Sequence, residues 1–435
     1  MIRKRIQLGL IHVAVAVSLV PFNSTLNRVM INELALSSLL VAALVSLPYL
    51  FSPVQIAIGA FSDKYPVLGY KRTPYILAGL LLCVGGLVAA PSIAYLMLES
   101  RLLGILLGVL VFGAWGMGYN LASVSYFSLA TEVSGEEGRS RTIAVMFFMM
   151  IIGIILTSVS LGQLLETYTP KTLERAFWIV GFAALALGLV GLIGVEERSA
   201  RTAGEHSETY SWGEIYKALS SNKQVIRFFW YLLLLLTAIL GQDILLEPFG
   251  AEAFGMSVQA TTRITAIWGV FFLISLSLGA MLERRVPKIV QARIGAYIGI
   301  AAFFLIVVSG AAGMLWLFYI GVVLLGLATG LSTVSNLSLM LDMTTAGSVG
   351  LFIGAWGMAS ALARLTGNLL SGVIRESFTP LLQSSVGGYS VVFLVEIFIL
   401  IVSLIVLRGV DVNIFQQESD TTLSYLERAA ISNEG

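Results

Sequence analysis

Apolar residues in this chain run in long blocks, each about twenty residues or more, separated by short polar turns. About 20 consecutive apolar residues are what one helix needs to cross a bilayer core. Twelve blocks meet that requirement, over residues 6–31, 38–61, 74–97, 102–130, 142–165, 175–194, 225–249, 257–281, 289–310, 313–341, 349–375 and 388–408. The largest polar interruption, EERSARTAGEHSETYSWGEIYKALSSNK from Glu196 to Lys223, cuts them six and six. The expected organisation is therefore a six-helix half over 1–195, a linker over 196–223, a second half over 224–409 and a tail over 410–435.

An internal repeat supports the halving. SVSYFSLATEV from Ser123 matches TVSNLSLMLDM from Thr333, which aligns the fourth span with the tenth and Glu132 with Asp342. GVLVFG at Gly108 matches GVVLLG at Gly321, and GAFSD at Gly59 has a weaker partner in GAMLE at Gly279. The expected fold class is thus an all-α membrane protein of twelve transmembrane helices in two six-helix pseudo-repeats. Parallel repeats of this kind place a binding site between the halves near the bilayer midplane.

Composition agrees. Hydrophobic residues make up 57% of the chain and charged residues 12%, against about 45–50% and about 25% in soluble domains. A net charge of +1 gives no basic field for nucleic acid. One cysteine, Cys83, rules out an intrachain disulfide, and with two histidines it leaves too few ligands for a zinc or haem site built from several such residues. Most of the 26 basic residues fall on the side of the N-terminus and the linker, so both termini are expected in the cytoplasm. Gly104 with Gly108, Gly326 with Gly330 and Gly350 with Gly354 are small-xxx-small pairs that let membrane helices approach closely.

Charge inside the apolar blocks needs a reason, because a carboxylate at the bilayer centre costs about 2.5–3.5 kcal/mol on insertion scales. QDILLEPFGAEAFG, from Gln242 to Gly255, puts Asp243, Glu247 and Glu252 in or beside the seventh span. The first span carries Asn23, Ser24, Thr25, Asn27, Arg28, Asn32 and Glu33 at the matching depth. Arg28 with Asp243 or Glu247, or Arg364 of the eleventh span with either acid, would neutralise the buried charge. The cluster reads as a clamp between the halves or as the wall of a binding chamber. No phosphate-binding loop and no nucleophile, base and orienting acid set occurs, so no enzyme is expected.

QDILLEPFGAEAFGMSVQATTRITA, Gln242 to Ala266, resembles the signature of the bacteriochlorophyll delivery family of the major facilitator superfamily, the group that includes the PucC light-harvesting assembly proteins. LNRVMINEL at Leu26, LPYLFSPVQIAIGAFSD at Leu47 and GYKRTPYI at Gly69 resemble it too. GAFSDKYPVLGYKRTP is similar to the superfamily's signature loop, with Gly59, Asp63, Lys64, Gly69, Lys71 and Arg72 in its positions. Together with Glu132, Arg139, Glu283 and Asp342 these residues are candidates for a cytoplasmic charge latch, or for membrane-edge charges that only fix orientation. The fourth span lacks a mid-membrane arginine and the fifth lacks proline, two features common in coupled members of the superfamily.

The resemblance implies a photosynthetic organism, a thylakoid or photosynthetic inner membrane, and delivery of chlorophyll or bacteriochlorophyll to nascent light-harvesting or photosystem subunits. Chlorophyll synthase is an implied partner, alongside the lipid bilayer, and the transport unit is expected to be monomeric. No cofactor is implied, the pigment being cargo. Its magnesium could take a nitrogen from His12 or an amide oxygen from Gln242 or Asn120, although a packed histidine is the ordinary alternative. Two other readings stay open: a proton-coupled small-solute transporter using Asp243 and Glu247, and a chaperone for antenna helices that transports nothing.

Overall fold

The computed structural model describes residues 2–198, 223–283, 285–342, 349–411 and 414. Most of the linker and the tail beyond 414 lie outside the described residues. The described chain is almost entirely helical, and ten helices are long and apolar enough to cross a membrane. They are α1 (Ile2–Glu33), α3 (Thr73–Glu99), α4 (Arg101–Gly135), α5 (Arg141–Leu164), α6 (Pro170–Leu192), the first part of α7 (Lys223–Ile244), α8 (Val258–Leu282), α9 (Lys288–Ala312), a tenth helix through Met340 and α12 (Ser385–Leu407). The tenth, α10, runs over Leu315–Asp342, and α11 is the 34-residue helix Val349–Leu382. The second block forms α2 in three pieces, Ser38–Val45, Leu47–Leu50 and Val54–Lys64. Proline explains the breaks: Pro48 and Pro53 lack the N–H that an uninterrupted helix needs and crowd the preceding turn.

The ends follow local chemistry. Ser37, Ser257 and Ser384 accept a backbone N–H at the starts of α2, α8 and α12, and Thr169 makes a capping box with Thr172 before α6. Gly255 and Gly313 close α7 and α9 with φ of +64° and +68°, a conformation that glycine adopts without a Cβ penalty. Helices leave and return alternately, so the start of α1, the end of α6, the start of α7 and the C-terminal end of α12 share one side, called here the terminal face. The opposite side is the far face.

In the first half α3 packs on α4 through glycine: a Cβ on Gly118 would stand 2.6 Å from the Gly79 carbonyl, and one on Gly79 would stand 2.7 Å from the Gly118 carbonyl. In the second half the equivalent α9–α10 contact is made the same way, a Cβ on Gly321 falling 3.2 Å from the Ala302 carbonyl, and α8 packs on α10 where Gly330 meets the Phe272 carbonyl. Gly104 also packs tightly, against the backbone of Met97, and Gly326 against the Trp268 carbonyl. The contacts of Gly350 and Gly354 lie outside the description. Between the halves α2 meets α11, where Gly372 sits on Ala42 and Leu39, and α5 meets α8, where Gly162 sits on Gln259 and Arg263. The pairs 2–11 and 5–8 exchange under a two-fold relating the halves.

Candidate functional site

α1 and α7, the first helices of the two halves, both lose regular α geometry toward the far face. α1 contains two π-helical turns, Pro21–Leu26 and Val29–Glu33. α7 breaks into a 3-10 turn at Gln242–Ile244 before continuing as Leu246–Phe254. Such turns are unusual inside helices and are frequent at functional sites. They bring polar groups of the two halves together.

Thr25 Oγ1 and Thr262 Oγ1 are 3.1 Å apart. The Ser24 hydroxyl donates to Glu247, and the Asn27 amide donates to the Ile244 carbonyl, which the break in α7 leaves free. Arg28 donates to the Met256 carbonyl at 3.2 Å, and Asn32 donates to Glu252 at 3.0 Å. Along the α2–α11 seam Glu376 accepts from the Ser37 hydroxyl and from the Leu39 backbone N–H, Ser38 donates to the Gly372 carbonyl at 3.3 Å, and Asn368 donates to Ser46 Oγ at 3.2 Å. Among the described residues these bonds lie between the far face and mid-membrane. The halves are thus sealed at the far face.

Beneath the seal stands one ion pair: Arg364 Nη1 donates to Asp243 Oδ2 at 2.8 Å, and the guanidinium lies 5.7 Å from the centre of the Tyr49 ring. Gln242 Nε2 also donates to Asp243, at 2.9 Å. The Arg364 and Asp243 side chains are 32% and 26% exposed, and the Tyr49 ring of α2 puts the guanidinium on the side that faces the first half.

Of the pairings expected from the sequence, Arg364–Asp243 forms and Arg28 with Asp243 or Glu247 does not. Arg28 pairs with Glu33. The reason is the π turn, which places residue i+5, rather than i+4, over residue i. Glu247 is buried at 3% exposure, accepts from Ser24 and, at 2.7 Å, from the Thr265 hydroxyl, and leaves Oε2 without a partner. Asn23 stands at the same level with its amide oxygen unpartnered.

The candidate pigment ligands separate. Asn120 is committed to structure: its Nδ2 donates to the Pro48 and Gly116 carbonyls at 2.8 and 2.9 Å, and its oxygen accepts from Gln55. Both polar atoms of its amide are thus engaged within the first half. His12 is buried with Nδ1 unpartnered, in a cage of Tyr126, Phe127 and Phe147 whose ring centres lie 5.0, 5.4 and 5.2 Å away. A tetrapyrrole macrocycle cannot stack there without displacing those rings. Gln242 keeps a buried amide oxygen without a donor beside the ion pair.

At the terminal face each half has its own charge cluster. Arg72 is buried and donates from Nε and Nη2 to Glu132 at 2.9 and 2.6 Å, and from Nη1 to Ser62 at 2.5 Å. In the second half Lys288 bridges Asp342 at 2.7 Å and Glu283 at 3.3 Å. The aligned acids Glu132 and Asp342 therefore each hold a cation from the start of the third helix of their own half. Lys64 stacks 5.5 Å from the Tyr65 ring, and Gly69 takes a φ of +82° in the intervening turn. The side chains of Asp63 and Arg139, and the contacts of Gly59, lie outside the description.

Three acids were not foreseen. Glu196 accepts the backbone N–H groups of Lys71, Arg72 and Thr73 at 2.7, 3.0 and 2.6 Å, closing the N-terminus of α3 where the helix dipole favours negative charge. Glu376 closes the α2–α11 seam. Glu396 lies buried in the middle of α12. The first two flank apolar blocks, where acids are ordinarily solvated; Glu396 carried the same intramembrane signal as Asp243.

Two six-helix halves sealed by polar residues of their first helices define a fold of the major facilitator class. A crystal structure of a bacterial homolog of the human lysosomal transporter Spinster, in an inward-facing and unoccupied conformation, superposes with a TM-score of 0.72 at 13% identity, covering 95% of this chain and 97% of that one. That likeness carries the fold alone.

The PUCC protein family model matches residues 25–415, and the chain belongs to that family. Among relatives from Rhodobacter capsulatus, an uncharacterized protein in the puhA-bchM intergenic region is 31% identical, covering 93% of this chain and 88% of its own length. Protein PucC is 28% identical, over 92% and 90%. A protein named bacteriochlorophyll synthase 44.5 kDa chain is 27% identical, over 93% and 94%. The protein is a multi-pass membrane protein.

Proposed function

We propose that this protein is a membrane carrier and assembly factor that hands chlorophyll, bacteriochlorophyll or a related tetrapyrrole to light-harvesting or photosystem subunits. In this reading it works in a photosynthetic membrane, with the terminal face in the cytoplasm. The observation that carries it is the Arg364–Asp243 pair, exposed to the space between the halves directly beneath a polar seal, with the unpartnered oxygen of Gln242 beside it. A ligand with a large apolar ring, a metal centre and a few carbonyl or carboxyl groups matches so small a polar set in so apolar a chain. Membership of the PUCC family and the name of the third relative support the same class of cargo. The protein then binds and releases pigment without altering a covalent bond.

Mild purification from its own photosynthetic membrane, followed by absorption spectroscopy and mass identification of extracted pigment, tests this. Stoichiometric pigment is expected, reduced at least tenfold in Arg364→Gln or Gln242→Leu. A colourless protein without synthase or antenna subunits overturns it.

A second reading, proton-coupled transport of a small solute, is favoured by the fold of the solved neighbours and by the two acids on α7. Flux into sealed vesicles that depends on a pH gradient and collapses in Asp243→Asn would establish it in place of delivery.

A further inference from the structure

Glu396 stands at the centre of α12, eleven residues from either end of Ser385–Leu407, and is 3% exposed. No other residue of SVGGYSVVFLVEIFILIVSLIVL is charged. Its only described partner is the Ser371 hydroxyl of α11, which donates to Oε1 at 3.5 Å, and its Oε2 has no partner. Among the described residues no Lys, Arg or His lies within ion-pair distance of it. A fully buried carboxylate without a cation is the arrangement that burial penalises most, and neutralisation removes the penalty.

The elements around it supply no alternative cation. The break in α7 presents Asp243, which is within electrostatic reach of Glu396 and is itself held by Arg364 at 2.8 Å. α11 presents Ser371, with Asn368 and Arg364 three and seven residues earlier on the same stripe. Arg375, further along α11, lies over the Tyr389 ring at 4.8 Å. α9 carries Lys288, Arg293 and Tyr297, all within its first three turns at the terminal face. The last piece of α7 carries Glu247, committed to Ser24 and Thr265, and Glu252, which accepts from Asn32. Arg364 is thus held by Asp243, and Glu396 has no guanidinium of its own among the described residues.

We propose that Glu396 is a proton-binding site. Its carboxylate takes H⁺ onto an oxygen, forming an O–H bond with no electron transfer, and exchanges it with water in the space between the halves past the partly exposed Asp243 and Arg364. With Asp243 ionised, Arg364 cationic and Glu396 neutral, the group carries no net charge inside the bilayer. Opening the Asp243–Arg364 pair frees the guanidinium, and Glu396 can then meet it as a carboxylate once its proton has passed to Asp243, a transfer that leaves the group neutral. The site extends beyond the delivery reading and does not depend on which cargo occupies the space.

Infrared spectra of the full chain in lipid nanodiscs, at pH 7 in H₂O and D₂O, test it. The wild type is expected to show a protonated-carboxyl C=O band that is lost in Glu396→Gln, moves to lower frequency in D₂O, and disappears at a different pH in Asp243→Asn. Absence of a Glu396-dependent band overturns the proposal, because the group is then ionised. So does a band indifferent to D₂O, which marks a sealed structural acid, or one whose disappearance Asp243→Asn leaves unmoved. Should Glu396→Gln fail to fold, Ser371→Ala removes the hydrogen-bond partner and must shift the same band, and an unshifted band counts against the proposal equally.

Discussion

Removing the guanidinium in Arg364→Gln is the most informative single perturbation of the inter-half space. The pair has an N···O separation of 2.8 Å, so the charge centres lie roughly 4 Å apart. At an effective dielectric constant of about 20 that separation corresponds to about 4 kcal/mol of attraction. Because the two side chains are 32% and 26% exposed, solvent screens part of it, and a coupling of about 1–3 kcal/mol is expected. The single variant leaves Asp243 without its cation and costs more than the double variant Arg364→Gln with Asp243→Asn, in which neither charge remains. The assay is a double-mutant cycle on unfolding of the protein in mild detergent, with each midpoint converted to a free energy. Additive single effects, with coupling below about 0.5 kcal/mol, would refute the claim that the pair is a strong feature of the interior.

Three further outcomes follow from the same geometry. Gly118→Val should destabilise by about 2–3 kcal/mol through overpacking, since its Cβ would lie 2.6 Å from the Gly79 carbonyl; a monodisperse protein with an unchanged unfolding midpoint would contradict the α3–α4 packing. Glu196→Ala removes the acceptor for three N–H groups at the start of α3 and should cost about 1–2 kcal/mol, read as faster hydrogen exchange at Lys71–Thr73. Lys4 lies 2.9 Å from Glu197 and holds that carboxyl below its usual range. The linkage sign is that of a depressed acid, a contribution present above the unfolded-state value and lost as pH falls through the folded-state value. With the carboxylate fully exposed, Lys4→Met should leave the neutral-pH unfolding midpoint unchanged within error, and a large drop would refute the surface assignment.

The twelve spans were legible because a bilayer imposes a length and a composition that the sequence displays directly. The breaks inside them were less so. Pro48 and Pro53 announce the interruption of α2, but beyond Pro21 at the start of the first turn nothing in residues 21–33 marks them as π-helical. Hence Arg28 was expected to reach across to an acid of α7, when the widened turn brings Glu33 over it from its own helix. Arg364 with Asp243 was one of the options that depth alone allowed, and depth could not choose among them. Glu396 escaped notice because α12 is not one of the helices lining the centre of this fold, yet it obeys the same rule that singled out Asp243: an acid within an apolar run needs a partner or a proton.

The chemistry of the seal bears on how readily it can open. Between α1 and the α7–α8 region it is built from hydroxyl and amide groups, Ser24, Asn27 and Asn32 meeting α7 and Thr25 meeting Thr262 of α8, with Arg28 contributing through the Met256 carbonyl while its charge is met within its own half. No ion pair joins the halves there among the described residues. Separating them therefore costs about 0.5–1.5 kcal/mol per neutral hydrogen bond and about 1.5–3 kcal/mol for a bond to a carboxylate, as at Glu247, Glu252 and Glu376, and water entering from the far face can replace them. The ion pairs are placed elsewhere: Arg72–Glu132 and Lys288–Asp342 each stay within one half, as does Arg364–Asp243. Ion pairs stay within each half and single hydrogen bonds join the two, a division suited to halves that part and rejoin as units.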